Sequence, residues 1–508
     1  MEVKPGIFLR ESTGLVKEAG FWDAVSINIA NMSVGAALGT VGFTLMALPT
    51  LVGVNLVYAS LLAFLLSIPQ IIIYTLLTTL IPRTGGDYVW LSRAFGPRLA
   101  WLTNGLVMAF VIQALAYYAL VAIAGVFQLE SVLPILGFNV MFNTWSMIAV
   151  AIAFFAVIVT VNIIGTKYGF RLMTILTSFS LLGLAIAIIV LFTTPRPIAI
   201  AAINNVLPRG YSYASLANSY RGPHFTWGGT LMVIPFFALY IYPWLMAGPA
   251  IASEIRGRSA IKLNVPVAAL ITMITATLGF EALYYSLGFK FVTEALANPN
   301  VNSIFNFWTA AMVVSNNVVI RWFVGLSSIA WYLAILAYGA IVVVRYWFAL
   351  AFDRVWPGIF AYLSPRFGTP IYAHITDLAI TATLIAAAGI LYQTFVALYG
   401  AVVEAIIYFM VVGIAAIIIA TLRYSTFNMG NRVRALLALS GALMAGVMAY
   451  LTYEFLAYPQ IWGGNWLAYG VELGAVILGI LTYLVSRYIN LRRYGIDISL
   501  AYTEIPPE

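Results

Sequence analysis

Runs of about 20 apolar residues, each long enough for a helix to cross the hydrocarbon core of a bilayer, recur along this whole chain with almost no charge inside them. Twelve can be read, at roughly 22–47, 54–80, 97–128, 145–165, 170–193, 229–252, 264–288, 322–352, 372–394, 396–420, 435–456 and 466–488. They are too long and too uniformly apolar for the ten-residue alternating strands of a membrane barrel. Helices are the other way to satisfy a backbone in lipid. Composition agrees, with 63% of the 508 residues hydrophobic and 8% charged, against roughly 25% charged in soluble domains. The expected fold class is an all-α polytopic membrane protein of about twelve transmembrane helices, with the lipid bilayer as its solvent.

Loop charge gives the orientation. With the N-terminus on the cytoplasmic side, 20 of the 25 basic residues fall in cytoplasmic segments. The outer side holds Arg196, Arg209, Arg221, Lys290 and Arg321. The positive-inside rule describes such an asymmetry, so a multi-pass protein of the cell membrane with both termini cytoplasmic is expected. Residues 1–20 mix Lys4, Arg10 and Lys17 with Glu2, Glu11 and Glu18. That is not the pattern of a cleaved signal peptide, and the first span is expected to stay. Two outer loops, 195–228 and 289–321, are long. They read either as exposed linkers or as lids.

Several function classes drop out on charge and chemistry. The net charge of +8 is spread over short loops rather than one face, which argues against a nucleic-acid partner. There is no cysteine, and the two histidines, His224 and His374, lie far apart. No metal or cofactor is therefore expected, nor the polar cluster an enzyme needs. No phosphate-binding loop and no filter-like loop of a channel can be read. A carrier of small molecules remains.

Two spans carry interruptions. The middle of span 1 holds Asn28, Asn31, Ser33, Gly35, Ala36, Gly39 and Gly42. Span 6 holds Tyr240, Tyr242, Pro243, Trp244, Gly248 and Pro249, and Pro243 removes a helical donor. Spans 1 and 6 open the two halves of a five-plus-five arrangement. Breaks at matching places in two halves point to a transporter binding site. Free amides near Gly35 and Ala36 suit a carboxylate, and carbonyls freed from Tyr240 to Trp244 suit an ammonium group. The candidate substrate-binding residues are therefore Asn31, Ser33, Gly35, Ala36, Tyr240, Tyr242, Pro243 and Trp244, joined by Gln113 and Tyr117 from span 3. The competing reading of the small residues is close helix packing.

Acidic residues inside spans are costly and face the protein interior as a rule. Glu281 in span 7 and Glu404 in span 10 are read either as carriers of a coupling proton or as carboxyls held neutral by structural hydrogen bonds. Asp23 and Glu254, at the inner ends of spans 1 and 6, are read as partners of loop arginines such as Arg83 or Arg93 that close an inner gate, and Glu254 reads equally as a charge that solvates a helix end. Asp377, near His374, is expected at the interface.

Gly20-Phe21-Trp22-Asp23 leads into span 1, and Pro82-Arg83-Thr84-Gly85-Gly86-Asp87-Tyr88 joins spans 2 and 3. Glu254-Ile255-Arg256 closes span 6, and the stretch from Arg345 through Pro357 to Pro370 joins spans 8 and 9. These four stretches resemble the amino acid–polyamine–organocation transporter superfamily. The resemblance implies a LeuT-like inverted repeat with discontinuous helices 1 and 6, and alternating access. It also implies amino acids or related amines as solutes, with polyamines, nucleobases or other organic cations as the alternative. The family's Gly-x-Gly in span 1 is here Ser33-Val34-Gly35. The span 8 hydroxyls of sodium-coupled relatives and the span 5 lysine of some proton-coupled ones are both missing. The expected layout is a cytoplasmic segment 1–20, a ten-helix core 21–425, two further helices in 426–490 and a cytoplasmic tail 491–508.

Overall fold

The computed structural model describes residues 13–302, 304–391, 402–423, 427 and 429–506. Helices joined by turns and irregular stretches make up the described residues, with two isolated β-bridges and no strand among them. Eleven helical segments are long and apolar enough to cross a membrane: Phe21–Ala47, Leu56–Leu80, Pro97–Leu136, Thr144–Ile164, Thr166–Thr193, Arg258–Leu287, Val318–Phe352, Ile371–Ile390, Val403–Thr421, Asn431–Ala457 and Trp466–Tyr494. The twelfth expected span is a shorter helix, Trp227–Tyr240, followed by Ala247–Ala250. It falls short of a full crossing because it is the broken one. The expected run 396–420 begins on residues outside those described.

Sequence chemistry marks where spans start. Asn55, Asn143, Thr226, Asn317 and Asn465 each turn a side-chain oxygen onto the first free amides of spans 2, 4, 6, 8 and 12. A helix start leaves those donors without a backbone partner, and Asn and Thr supply one. All five lie on the face opposite the Arg83–Arg93 loop, called here the basic face.

Span 8 is the central post, with 94% of its apolar window buried, against 22% for span 12 at the periphery. Spans 11 and 12 dock through glycines. A Cβ at Gly441 of span 11 would strike the Gly413 carbonyl of span 10, and one at Gly479 of span 12 would strike the Asn104 carbonyl of span 3. Such close backbone approach is how membrane helices associate without a hydrophobic drive.

The two long loops are neither extended linkers nor bare chain. They fold into the short helices Arg196–Asn204, Tyr213–Ser219, Phe289–Ala297 and Phe307–Val314. The Tyr213 ring stacks on Phe291 at 4.7 Å and its hydroxyl donates to the Leu287 carbonyl at 2.8 Å.

After span 12 the chain turns back under the basic face. Arg487 and Asp497 pair at 2.8 Å, and the turn Ile498–Thr503 inserts Tyr502, which is buried. Asn104 donates to the Tyr502 hydroxyl at 2.7 Å. Arg93 lies over its ring at 5.5 Å and donates to the Glu504 carbonyl at 2.9 Å.

Candidate functional site

Span 1 breaks at Ser33, whose φ of 53° and ψ of 32° place it in the left-handed region. Non-glycine residues enter that region at a cost. The Ser33 hydroxyl offsets it by donating to the Ala30 and Asn31 carbonyls at 3.1 and 3.0 Å. A second helix, Val34–Ala47, begins at once, so the amides of its first turn have no intrahelical acceptor. Gly35 is fixed by sterics: a Cβ there would collide with the Trp331 indole of span 8. The Gly35 carbonyl accepts from Trp308 at 2.8 Å.

Span 6 stops at Tyr240, and Ile241 leaves the helix with φ −123° and ψ −70°. The Pro243 carbonyl accepts from Gln70 of span 2 at 2.7 Å. Trp244 folds back to donate to the Leu239 carbonyl at 2.6 Å. Asn28 then fastens the two broken spans together. Its carbonyl oxygen accepts from the Gly248 amide at 2.8 Å, and its amide donates to Asn264 of span 7 at 2.9 Å.

Between the two breaks lies a cavity of ≈ 90 Å³. A water molecule takes roughly 10–15 Å³ on this measure, so the cavity has room for several waters or a small solute. Ser33, Ala36, Gln113, Tyr117, Tyr240 and Trp244, all anticipated from the sequence, line it. The Tyr117 and Trp244 rings are parallel, with centres 6.5 Å apart. Phe236 adds another aromatic face. Four anticipated residues do not line it. Asn31 donates to the Met246 sulfur at 2.9 Å, and Gly35 is packed under Trp331. The Tyr242 hydroxyl is bonded to Ser60 at 2.6 Å, and the Pro243 carbonyl is already held by Gln70. These four shape the breaks from behind. Sequence reasoning missed the Asn28–Asn264 link, although Asn28 stood in the polar middle of span 1. It also missed Glu472 of span 12, which lines the cavity.

On the basic face the pairing differs from the expected one. Glu254 does not meet Arg83 or Arg93. Both of its oxygens accept from Arg345 of span 8 at 2.7 Å, with side-chain exposures of 0% and 2%. Arg93 pairs instead with Asp353 at 2.7 Å, and Arg83 donates to the Pro506 carbonyl at 2.6 Å. Asp23 accepts from the Gly20 amide at 2.8 Å and from Thr174 of span 5, acting as a helix cap. Backbone stitching closes the same layer. Ala19 donates to the Glu254 carbonyl at 3.0 Å, and Gly85 donates to the Ala250 carbonyl at 2.9 Å. Gly85 and Gly86 have positive φ of 86° and 43°, a conformation open to glycine. A Cβ on Gly86 would meet the backbone of Pro249 and Ala250.

Asp87, next in that loop, is fully buried and accepts from Tyr74 at 2.9 Å, Tyr408 at 3.0 Å and Tyr346. Burial pushes its carboxyl from 3.8 to about 6, while the tyrosine hydroxyls pull the other way. The folded value lies above the unfolded one. The group's contribution to stability is thus complete below pH 3.8 and is lost as pH rises through about 6. Asp87→Asn should flatten the decline in melting temperature between about pH 4 and 6. A slope identical to that of the unchanged protein would remove Asp87 as its source.

The intramembrane acids also sort differently. Glu281 is exposed, not buried in the span. Its helix neighbours Ile274, Leu278 and Tyr285 are exposed at 43%, 42% and 59%, so it sits on the outward stripe of span 7. Glu404 is buried at 3% exposure, and neither carboxylate oxygen has a hydrogen-bond partner. Asp377 lies near the start of span 9 and is packed inside the protein. It and His374 are each 1% exposed, and Thr381 donates to Asp377 at 3.0 Å.

A family model described as amino acid permease matches residues 20–480. The chain is also 31% identical over 101 residues to "Uncharacterized protein 399" of Sulfolobus islandicus rod-shaped virus 1, covering 18% of this chain and 25% of that protein. The chain thus spans a quarter of the length of that viral relative.

Proposed function

The chain belongs to the amino acid permease family, a multi-pass membrane transporter family, and on that premise we propose that it is a secondary transporter, a symporter or exchanger, that moves amino acids across the cell membrane by alternating access. The observation that carries the reading is the cavity between the two interrupted spans, lined from both by Ser33, Ala36, Tyr240 and Trp244. First-turn amides after Ser33 favour a carboxylate. The polar groups of span 6 and the aromatic walls favour the ammonium end and the side chain. The buried pairs on the basic face act as the closed gate on that side, and exchanging which face is closed would carry the solute across.

On this reading the ten-helix unit of 21–425 is the carrier and the two helices of 426–490 support it. Both termini face the cytoplasm, and the chain works as a carrier rather than an enzyme. Counterflow tests it. Proteoliposomes preloaded with an unlabelled amino acid should accumulate the labelled one transiently and saturably. Linear uptake without saturation would indicate a channel, and no uptake of any amino acid would refute the reading. Running the assay under a proton gradient and then a sodium gradient identifies the coupling ion.

A further inference from the structure

One carboxyl, Glu472, lines the cavity and a second, Glu404, is buried nearby, and none of the ion pairs among the described residues includes either. Glu472, on span 12, lines the cavity wall and has one buried oxygen without a hydrogen-bond partner. Glu404 sits in the first turn of span 10, two residues after Val402, which also lines the cavity. The two side chains are close enough to interact electrostatically, and both Glu404 oxygens are unpartnered behind it. Two carboxyls in apolar surroundings with no fixed cation hold charge only where a mobile cation balances it, and otherwise take up protons; acids retained inside a membrane span mark a pathway or binding role. The rest of the wall suits a cation. Tyr117, Tyr240, Trp244 and Phe236 also line the cavity, and the faces of aromatic rings attract ammonium and guanidinium groups.

We propose that Glu472, with Glu404 behind it, forms a cation subsite of the cavity, and that the carried solute bears a positively charged side group that docks there. The inference rests on the transporter reading above. It selects basic amino acids and amines over neutral ones of the same shape, and it makes a helix outside the ten-helix unit part of the recognition surface.

Matched pairs of solutes test it: L-lysine against L-norleucine, and L-arginine against L-citrulline, in proteoliposome counterflow with the full chain. The unaltered protein should prefer the charged member of each pair by at least about tenfold, the ratio one charge-assisted contact supplies. Glu472→Gln should collapse that preference to within about twofold, and Glu472→Asp should retain most of it. Melting temperatures of the purified variants confirm that each is folded. A pair of carboxyls kept neutral by protons alone would leave the preference unchanged in Glu472→Gln, which would overturn the proposal. So would an unaltered protein that does not distinguish lysine from norleucine. Exchange of norleucine without lysine would sink the subsite and leave the transporter reading standing; exchange of neither solute pair would also sink the subsite, and only failure with every other amino acid would remove the transporter reading too.

Discussion

Arg345→Met is expected to destabilise the folded protein by about 3–5 kcal/mol, the range for removing one partner of a buried ion pair. Glu254 is sealed from solvent, and both of its oxygens are taken by the Arg345 guanidinium at 2.7 Å. Without the arginine a carboxylate would be left in an apolar layer between spans 6 and 8. The bidentate geometry also makes lysine a poor substitute, since an ammonium offers a point charge and not a fork. The double variant Arg345→Met with Glu254→Gln should recover most of the loss, because it removes the stranded charge along with the attraction. Reversible denaturation in detergent reads all three. A single variant within about 1 kcal/mol of the unaltered protein, the scale of an exposed pair, would show the pair to be solvated.

Gly35→Val should abolish saturable counterflow while the protein still folds. Added methyl groups in a packed interior cost typically about 1–3 kcal/mol, and here the obstacle is the Trp331 ring of the central span. The helix after Ser33 would have to shift away from span 8. Its first-turn amides and Ala36 would move with it, and Ala36 lines the cavity. Trp331→Leu in the same chain should restore part of the uptake by opening the space. Normal counterflow in Gly35→Val would mean that the position of that turn does not matter to the solute.

Most of the architecture was legible because lipid imposes a length rule. A crossing helix needs a run of apolar residues that nothing else in the sequence mimics, and the spans whose starts are described begin within about six residues of the runs. The breaks were legible for a related reason. Asn31, Ser33 and Gly35 in one span, and Pro243 in another, are residues a lipid-exposed helix avoids. Charge pairing was not legible. Glu254 and Arg345 lie 91 positions apart and Arg93 and Asp353 lie 260 apart, and no local pattern chooses among the available arginines. Glu281 was misplaced because depth along a helix was weighed without its face, although Ile274, Leu278 and Tyr285 at helical spacing shared its outward side. Glu472 was overlooked because span 12 was counted as an addition to the ten-helix unit, and only folding shows that it reaches the cavity.

The inward turn that buries Tyr502 has a consequence for how the protein is made. Tyr88 and Tyr502, whose hydroxyls lie 3.3 Å apart, are separated by 414 positions. At about 5–20 residues per second, roughly 20–80 s of synthesis separate the two. Arg93 and Asn104, emerging early, must wait through that interval without the ring that later covers them. The nascent protein therefore sits half-assembled at one surface of the bilayer until Tyr502 leaves the ribosome. During that interval an insertion chaperone or a protease would meet a surface that the finished molecule hides.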